Sequence, residues 1–251
     1  MLSFIVPAHN EESLLATTLT AIHAAARDAA VAYELIVVDD ASTDGTARIA
    51  QECGARVVHV ENRQISATRN AGAREAAGDV FVFVDADTLA NAHAVRDVLS
   101  AVGSGAAGGG CLFRFDGRLP FWARVTYPIG IRLFRLLNVV GGCFMFCTRA
   151  AFEATGGFSE DYFAAEELIF TNALKRQGRF VIPRSYVVTS GRKLRCYSGF
   201  EILWTLLKIV IRGPKAYRSR QSLDVWYGER RVDPEEVEMA LNAKKARRRK
   251  S

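Results

Sequence analysis

The sequence predicts an α/β fold, a parallel sheet with helices packed on both of its faces. Two observations carry this. Strand-like and helix-like segments alternate four times in the first hundred residues, the pattern that builds a parallel sheet from crossover helices. Polar clusters follow three of the strand runs directly, which is where ligands sit in open α/β sheets.

The elements follow in order. Ser3–Val6 is a short apolar strand that breaks at Pro7; with no basic segment before it, it is not expected to act as a secretion leader. Glu12–Arg27 reads as a helix with Leu15, Leu19, Ile22 and Ala26 on one face. Glu34–Val38 is a second strand, and Thr46–Cys53 a helix closed by Gly54. Arg56–Val60 is the third strand, and Ser66–Ala77 a helix ending at Gly78. Val80–Val84, five apolar residues in a row, is a buried fourth strand, followed by a helix over Asn91–Val102. Gly103–Gly110 is rich in Gly and Ala and reads as a turn or flexible connection. Beyond it the alternation is lost. A mixed second half is expected, with a strand at Cys143–Cys147 and a helix at Glu166–Arg176. The expected organisation is 1–110, 111–195, a helical extension over 196–243 and a basic disordered tail over 244–251.

A chain of 251 residues with 49% hydrophobic side chains can bury a core of ordinary size. Its five cysteines are scattered, without a Cys-x-x-Cys, and predict reduced thiols in a cytoplasmic protein. The net charge of +6 is local: Lys244, Lys245, Arg247, Arg248, Arg249 and Lys250 account for it. Residues 179–220 hold ten basic side chains against one acidic, Glu201. Such a basic third suits an anionic surface, lipid headgroups or diphosphates. Nothing in the chain has the aromatic-rich pattern of a nucleic-acid reader.

The most informative stretch is residues 79–88, Asp-Val-Phe-Val-Phe-Val-Asp-Ala-Asp-Thr, in which Asp85 and Asp87 stand one residue apart. Hard divalent cations take oxygen ligands, and Mg2+ is usually held by one or two carboxylates together with substrate phosphates. Two carboxylates at the end of a buried strand are well placed to hold a metal-bound diphosphate. Asp39 and Asp40, at the end of the second strand, can accept hydrogen bonds from a base or a ribose; the Asp-x-Ser-Thr-Asp-Gly run that begins there is equally ordinary helix-start chemistry.

Taken in order, Pro-Ala-His-Asn-Glu-Glu (7–12), Val-Val-Asp-Asp-Ala-Ser-Thr-Asp-Gly-Thr (37–46), Ala-Thr-Arg-Asn-Ala-Gly (67–72), Val-Asp-Ala-Asp-Thr (84–88), Gly141-Gly142, Gly156-Gly157-Phe158 and Glu166-Glu167 resemble the family 2 glycosyltransferases. The resemblance covers about residues 1–190. It implies a GT-A fold, with a Rossmann-like nucleotide-binding sheet, a mixed acceptor-side half and, here, a C-terminal helical extension. It also implies an inverting transfer from a nucleotide diphosphate sugar, UDP being the commonest donor nucleotide. By resemblance, Pro7, Ala8, His9, Asn10, Glu11, Asp39 and Asp40 line the nucleoside pocket, and Arg69 lies near the nucleotide. Asp85 and Ala86 contact ribose or sugar, and Asp87, with Asp85, holds Mn2+ or Mg2+. The acceptor's general base is expected among Glu166 and Glu167, the second position favoured. The family usually has Asp there.

One departure stands out. Many relatives supply a late His to the metal, whereas His9, His23, His59 and His93 all fall in the first hundred residues. Arg192 or Lys193 is the candidate to neutralise the diphosphate instead. Residues 200–212 carry Glu201, Thr205, Lys208 and Arg212 as one polar stripe on an otherwise apolar helix, and Phe121–Leu137 mixes large apolar residues with arginines. Both suggest a peripheral place on the cytoplasmic membrane face and an acceptor that is lipid-linked or a cell-envelope glycan. Two other readings compete: a non-catalytic nucleotide-binding protein of the same fold, and a sugar-phosphate nucleotidyltransferase. The latter is disfavoured because the first turn lacks glycine. A nicotinamide enzyme is disfavoured because no Gly-x-Gly-x-x-Gly follows the first strand.

Overall fold

The computed structural model describes residues 1–202, 204, 231 and 233–235. The chain divides into two compact units, Met1–Arg114 with Ile131–Thr189, and Phe115–Gly130 with Ser190–Ser251. The described elements are, in order, β1 (Leu2–Ala8), α1 (Leu15–Asp28), β2 (Tyr33–Asp40), α2 (Thr46–Glu52), β3 (Arg56–Val60), α3 (Ile65–Glu75), β4 (Val80–Val84), β5 (Thr88–Leu89), α4 (Ala92–Gly103), β6 (Ala106–Gly110), β7 (Leu112–Phe115), α5 (Phe121–Leu136), β8 (Phe144–Thr148), α6 (Arg149–Thr155), α7 (Glu166–Gln177), β9 (Arg179–Val181), β10 (Tyr186–Thr189) and α8 (Arg192–Cys196).

Seven strands form the main sheet in the order β3-β2-β1-β4-β8-β6-β9, and β5-β10-β7 form a small second one. The first four are mutually parallel, as the alternating pattern requires. β8 runs antiparallel to both β4 and β6, which makes the second half mixed. The chain steps outward from β1 to β2 and β3, then returns to the other side of β1 for β4. The carboxyl ends of β1 and β4 therefore flank the reversal point, where an open α/β sheet offers a crevice.

Alternation within the buried strands explains the two-sided packing. Phe4 and Val6 of β1 face Leu15, Leu19 and Ile22 of α1 and Val95 and Val98 of α4. Ile5 faces the other way, into a core with Ala71 of α3, Ala151 of α6, and Phe170 and Leu174 of α7. Strands covered on both faces read as continuous apolar runs, as Val80–Val84 does.

Two expectations change. The stretch 103–110 is mostly strand β6, inside the sheet between β8 and β9, and not a flexible connection. Its glycines serve close packing: a Cβ at Gly108 would lie 2.7 Å from the carbonyl oxygen of Phe146, one at Gly110 2.7 Å from that of Phe144, and one at Gly109 would meet that of Val181. The first helix starts at Leu15 and not at Glu12, whose side chain reaches across to accept a hydrogen bond from Gly45 N at 2.8 Å. Gly54 closes α2 as expected, with φ of 77°.

Among the described residues no helix is long and apolar enough to cross a membrane. Most of the stretch 200–212, and all of 244–251, lie outside the described residues.

Candidate active site

The carboxylates after β4 are held from several sides. Asp85 N donates to the Cys143 carbonyl at 3.0 Å, and Thr88 N closes a turn on the Asp85 carbonyl at 3.0 Å. Thr18 Oγ1, from α1, donates to the Ala86 carbonyl at 2.8 Å. Thr189 Oγ1, at the end of β10, donates to Asp87 Oδ1 at 3.4 Å. Ala86 is buried between two half-buried carboxylates. Among the described residues no group of three or more His, Cys, Asp or Glu is gathered for a metal. Two carboxylates fit a hard divalent ion whose remaining ligands are water and ligand phosphates.

Arg69 links this end of the sheet to α7. It lies in α3 with 1% of its surface exposed. Nη2 donates to Asp85 Oδ1 at 2.9 Å and to the Gly142 carbonyl at 3.1 Å, and Nη1 donates to Glu166 Oε1 at 2.9 Å. The guanidinium carbon sits 5.2 Å from the centre of the Phe158 ring. A Cβ at Gly142 would lie 2.9 Å from Nη2, so only glycine lets the guanidinium approach this closely. Burial opposes its charge, but Asp85 and Glu166 outweigh burial and hold the group above its ordinary range. Arg69, expected near the nucleotide, is itself buried and bonds half-buried Asp85 at the end of β4 and buried Glu166 at the start of α7.

Glu166 and Glu167 open α7 after Ala165, which adopts a left-handed φ of 60°. A helix N-terminus suits negative charge. Glu166 is 6% exposed and engaged by Arg69. Glu167 is half-buried, and its carboxyl is pushed up to about 8, first by desolvation and then by the Glu166 carboxylate beside it, with Arg69 pulling the other way. The segment leading into α7 is tied back to α3. Asn70 Oδ1 accepts from Phe158 N at 2.9 Å, and its Nδ2 donates to the Phe158 carbonyl and to Glu160 Oε1, both at 2.9 Å. Gln64 Nε2 donates to the carbonyls of Glu160 and Tyr162 at 2.6 and 3.1 Å. Gly157 has φ of 79°, and a Cβ there would lie 2.7 Å from Asn70 Oδ1.

The nucleoside-side residues gather at the ends of β1 and β2. Pro7 and Ala8 are buried within β1, beside Val38 and Asp39. His9 Nδ1 donates to the Asp40 carbonyl at 2.7 Å, and its Nε2 accepts from Arg63 Nη1 at 2.8 Å; the arginine can only donate, which sets the tautomer. Asn10 holds a φ of 53°, with Oδ1 accepting from Thr43 N at 2.8 Å and its own N donating to Ser42 Oγ at 3.0 Å. Glu11 N donates to Thr46 Oγ1 at 2.8 Å. These bonds lace the first and second turns into one wall. Asp40 accepts from Arg63 N, Gln64 N and Thr68 Oγ1 at 2.8, 3.2 and 2.7 Å, so its carboxylate fastens the start of α3. Asp39 is 5% exposed; its Oδ2 meets His59 Nδ1 at 3.1 Å, and its Oδ1 is buried with no hydrogen-bond partner.

Arg192 and Lys193, expected on the diphosphate, belong to α8 in the second unit, where Lys193 is exposed and Arg192 half-buried. Their neighbour Arg195 is an anchor: Nη2 donates to Asp233 Oδ2 at 2.6 Å and Nη1 to the Asp116 carbonyl at 3.0 Å. Sequence reasoning missed Thr18, Gln64, Asn70 and Thr189 as supports of the site. Asn70 stood beside Arg69 in a quoted motif, whereas Thr18 and Thr189 leave no signal within a helix and a strand.

Residues 3–155, more than half of the chain, match Glycosyl transferase family 2. The chain is similar to the validoxylamine A glucosyltransferase of Streptomyces hygroscopicus subsp. limoneus, 32% identical over 129 residues, 48% of this chain and 28% of that protein. It is similar to the undecaprenyl-phosphate 4-deoxy-4-formamido-L-arabinose transferase of Pseudomonas fluorescens (strain SBW25), 37% identical over 92 residues, 34% of this chain and 27% of that protein. The matched regions thus span less than a third of these relatives' length. Among solved structures, a mannosyltransferase from Pyrobaculum calidifontis in complex with GDP-Man and Mn2+ superposes with a TM-score of 0.64 at 20% identity, over 84% of this chain and 64% of that one, a likeness of fold. By its sequence the chain belongs to glycosyl transferase family 2, and its mixed sheet between two layers of helices is the GT-A fold of that family.

Proposed function

We propose that this chain transfers a hexosyl group, with inversion, from a nucleotide diphosphate sugar to a hydroxyl on a lipid-linked or cell-envelope acceptor. UDP is the favoured donor nucleotide. The observation that carries the reading is Glu167. Its carboxyl is raised to about 8 at the start of α7, and the Arg69 network connects that helix end to the carboxylates after β4. A base whose affinity for protons lies near neutral pH is what an acceptor hydroxyl requires. A phosphate acceptor is already ionised and needs none, so the base favours a hydroxyl.

The residues act as follows. Asp39, with an acceptor oxygen lacking a partner, and the wall from His9 to Glu11 receive the nucleoside. Asp87 and Asp85 would hold a Mn2+ or Mg2+ ion, which when bound supplies positive charge to the departing diphosphate. Glu167 takes the proton of the acceptor hydroxyl as its oxygen bonds to the sugar's anomeric carbon. The bond from that carbon to the phosphate oxygen breaks on the opposite side, and the nucleoside diphosphate leaves. Glu166 is already paired with Arg69 and is the weaker candidate for the proton.

Membrane contact belongs to the proposal. In the second unit α5 leaves Phe121, Val125 and Ile129 exposed, and in the first Leu133 and Leu136, with Arg124, Arg132 and Arg135 also exposed. Exposed apolar residues interspersed with arginine suit an interfacial helix.

Glu167→Gln tests the reading. Turnover of nucleotide sugar should fall by about 10²- to 10⁴-fold, the usual worth of a general base, with donor affinity unchanged. Near-normal turnover would remove Glu167 from its role. A chain that binds nucleotide but never turns over donor would favour the non-catalytic reading.

A further inference from the structure

We propose that Arg69 is a positioning residue that divides its charge between Asp85 and Glu166, so that the charge at Glu166 sets how freely Asp85 binds the metal and nucleotide. The inference rests on the functional reading above and goes beyond it, because it couples two sides of the site through a buried residue that bonds to both.

The geometry makes the sharing unavoidable. One guanidinium faces two carboxylates from different elements at the same distance, 2.9 Å, through different nitrogens. It is buried, so water does not screen the pairs. Nor can it swing away: Phe158 covers one side and the Gly142 carbonyl accepts from Nη2. Asp85 is 30% exposed through its side chain and Glu166 only 8%, so Asp85 is the end that a ligand can reach. The negative charge of Glu166 offsets much of the cation's field at Asp85. With Gln in its place that offset is gone, and the uncompensated cation competes with a metal for Asp85. Removing the cation instead releases Asp85 to the metal. Glu166 and Arg69 substitutions therefore push metal affinity in opposite directions, a pattern that simple loss of packing does not produce.

The test is a Mn2+ titration of the full chain, read as the rise in melting temperature, with UDP and with GDP as separate probes. Glu166→Gln should raise the Mn2+ concentration for half the effect by roughly two- to thirtyfold, the range by which residues along a coupling network act. Arg69→Met should lower it, and adding Glu166→Gln to Arg69→Met should then change it less than Glu166→Gln does in the unmutated chain. If Arg69→Met fails to fold, the Glu166→Gln titration decides alone, with its ligand-free melt as the fold control. Absence of a Mn2+-dependent shift for the unmutated chain with either nucleotide would sink the functional reading. A shift that Glu166→Gln leaves within twofold, whatever its stability, would overturn the inference alone.

Discussion

Glu167 turns a local electrostatic fact into a pH signature. Its folded-state value of about 8 lies above its ordinary 4.5, because burial and the Glu166 charge disfavour ionisation. Between these two values the folded chain binds more protons than the unfolded one at this group, so its contribution to stability is full below 4.5 and is lost as pH rises through about 8. The slope is at most about 1.4 kcal/mol per pH unit. Glu167→Gln cannot ionise and escapes this loss. Its melting temperature relative to the unmutated chain should therefore climb between pH 5 and pH 9, and a difference that stays flat would contradict the raised carboxyl. By the same sign, kcat/KM should fall about tenfold per unit below pH 8, because only the ionised form accepts the proton.

Helix α3 is the element on which the site is built. It carries Arg69 to the ion network, Asn70 to the segment before α7, and Thr68 to Asp40. Gly72 lets it lie close on the sheet, since a Cβ there would stand 2.8 Å from Val38 Cγ2. Asn70→Ala would leave the buried Phe158 N without a partner, at a cost of about 1–3 kcal/mol. Urea unfolding should show that loss, with reduced turnover because Glu167 is no longer held; a change under 0.5 kcal/mol would mean that the segment is held by other contacts. The helix itself was legible in the sequence from its terminal signals, and Asp85-x-Asp87 from the apolar run before it. The inward turn of Arg69 was not, because arginine on a helix is ordinarily solvated, and its partners come from positions 85, 142 and 166. Strand β6 was hidden for a different reason: glycines chosen for close contact with neighbouring strands look like glycines chosen for flexibility.

At the scale of the whole molecule, the parallel half of the sheet was readable from alternation alone, and it places both candidate ligand turns at one edge; the strand order, and with it the reversal point, was not. The pairing of β8, β6 and β9 was not, since short strands joined by irregular segments leave no period to count. The exposed apolar residues of α5 predict sedimentation of the full chain with phosphatidylglycerol vesicles, reduced by the double substitution Leu133→Glu and Leu136→Glu. Complete recovery in the supernatant would contradict membrane contact and leave the transferase reading intact. That reading itself is tested most directly by a thermal-shift screen of UDP, GDP, CDP and dTDP, each with and without Mn2+. A ligand that binds only the folded chain must raise its melting temperature. The account predicts a Mn2+-dependent rise with one nucleotide, UDP first among them; no rise with any of the four would contradict it.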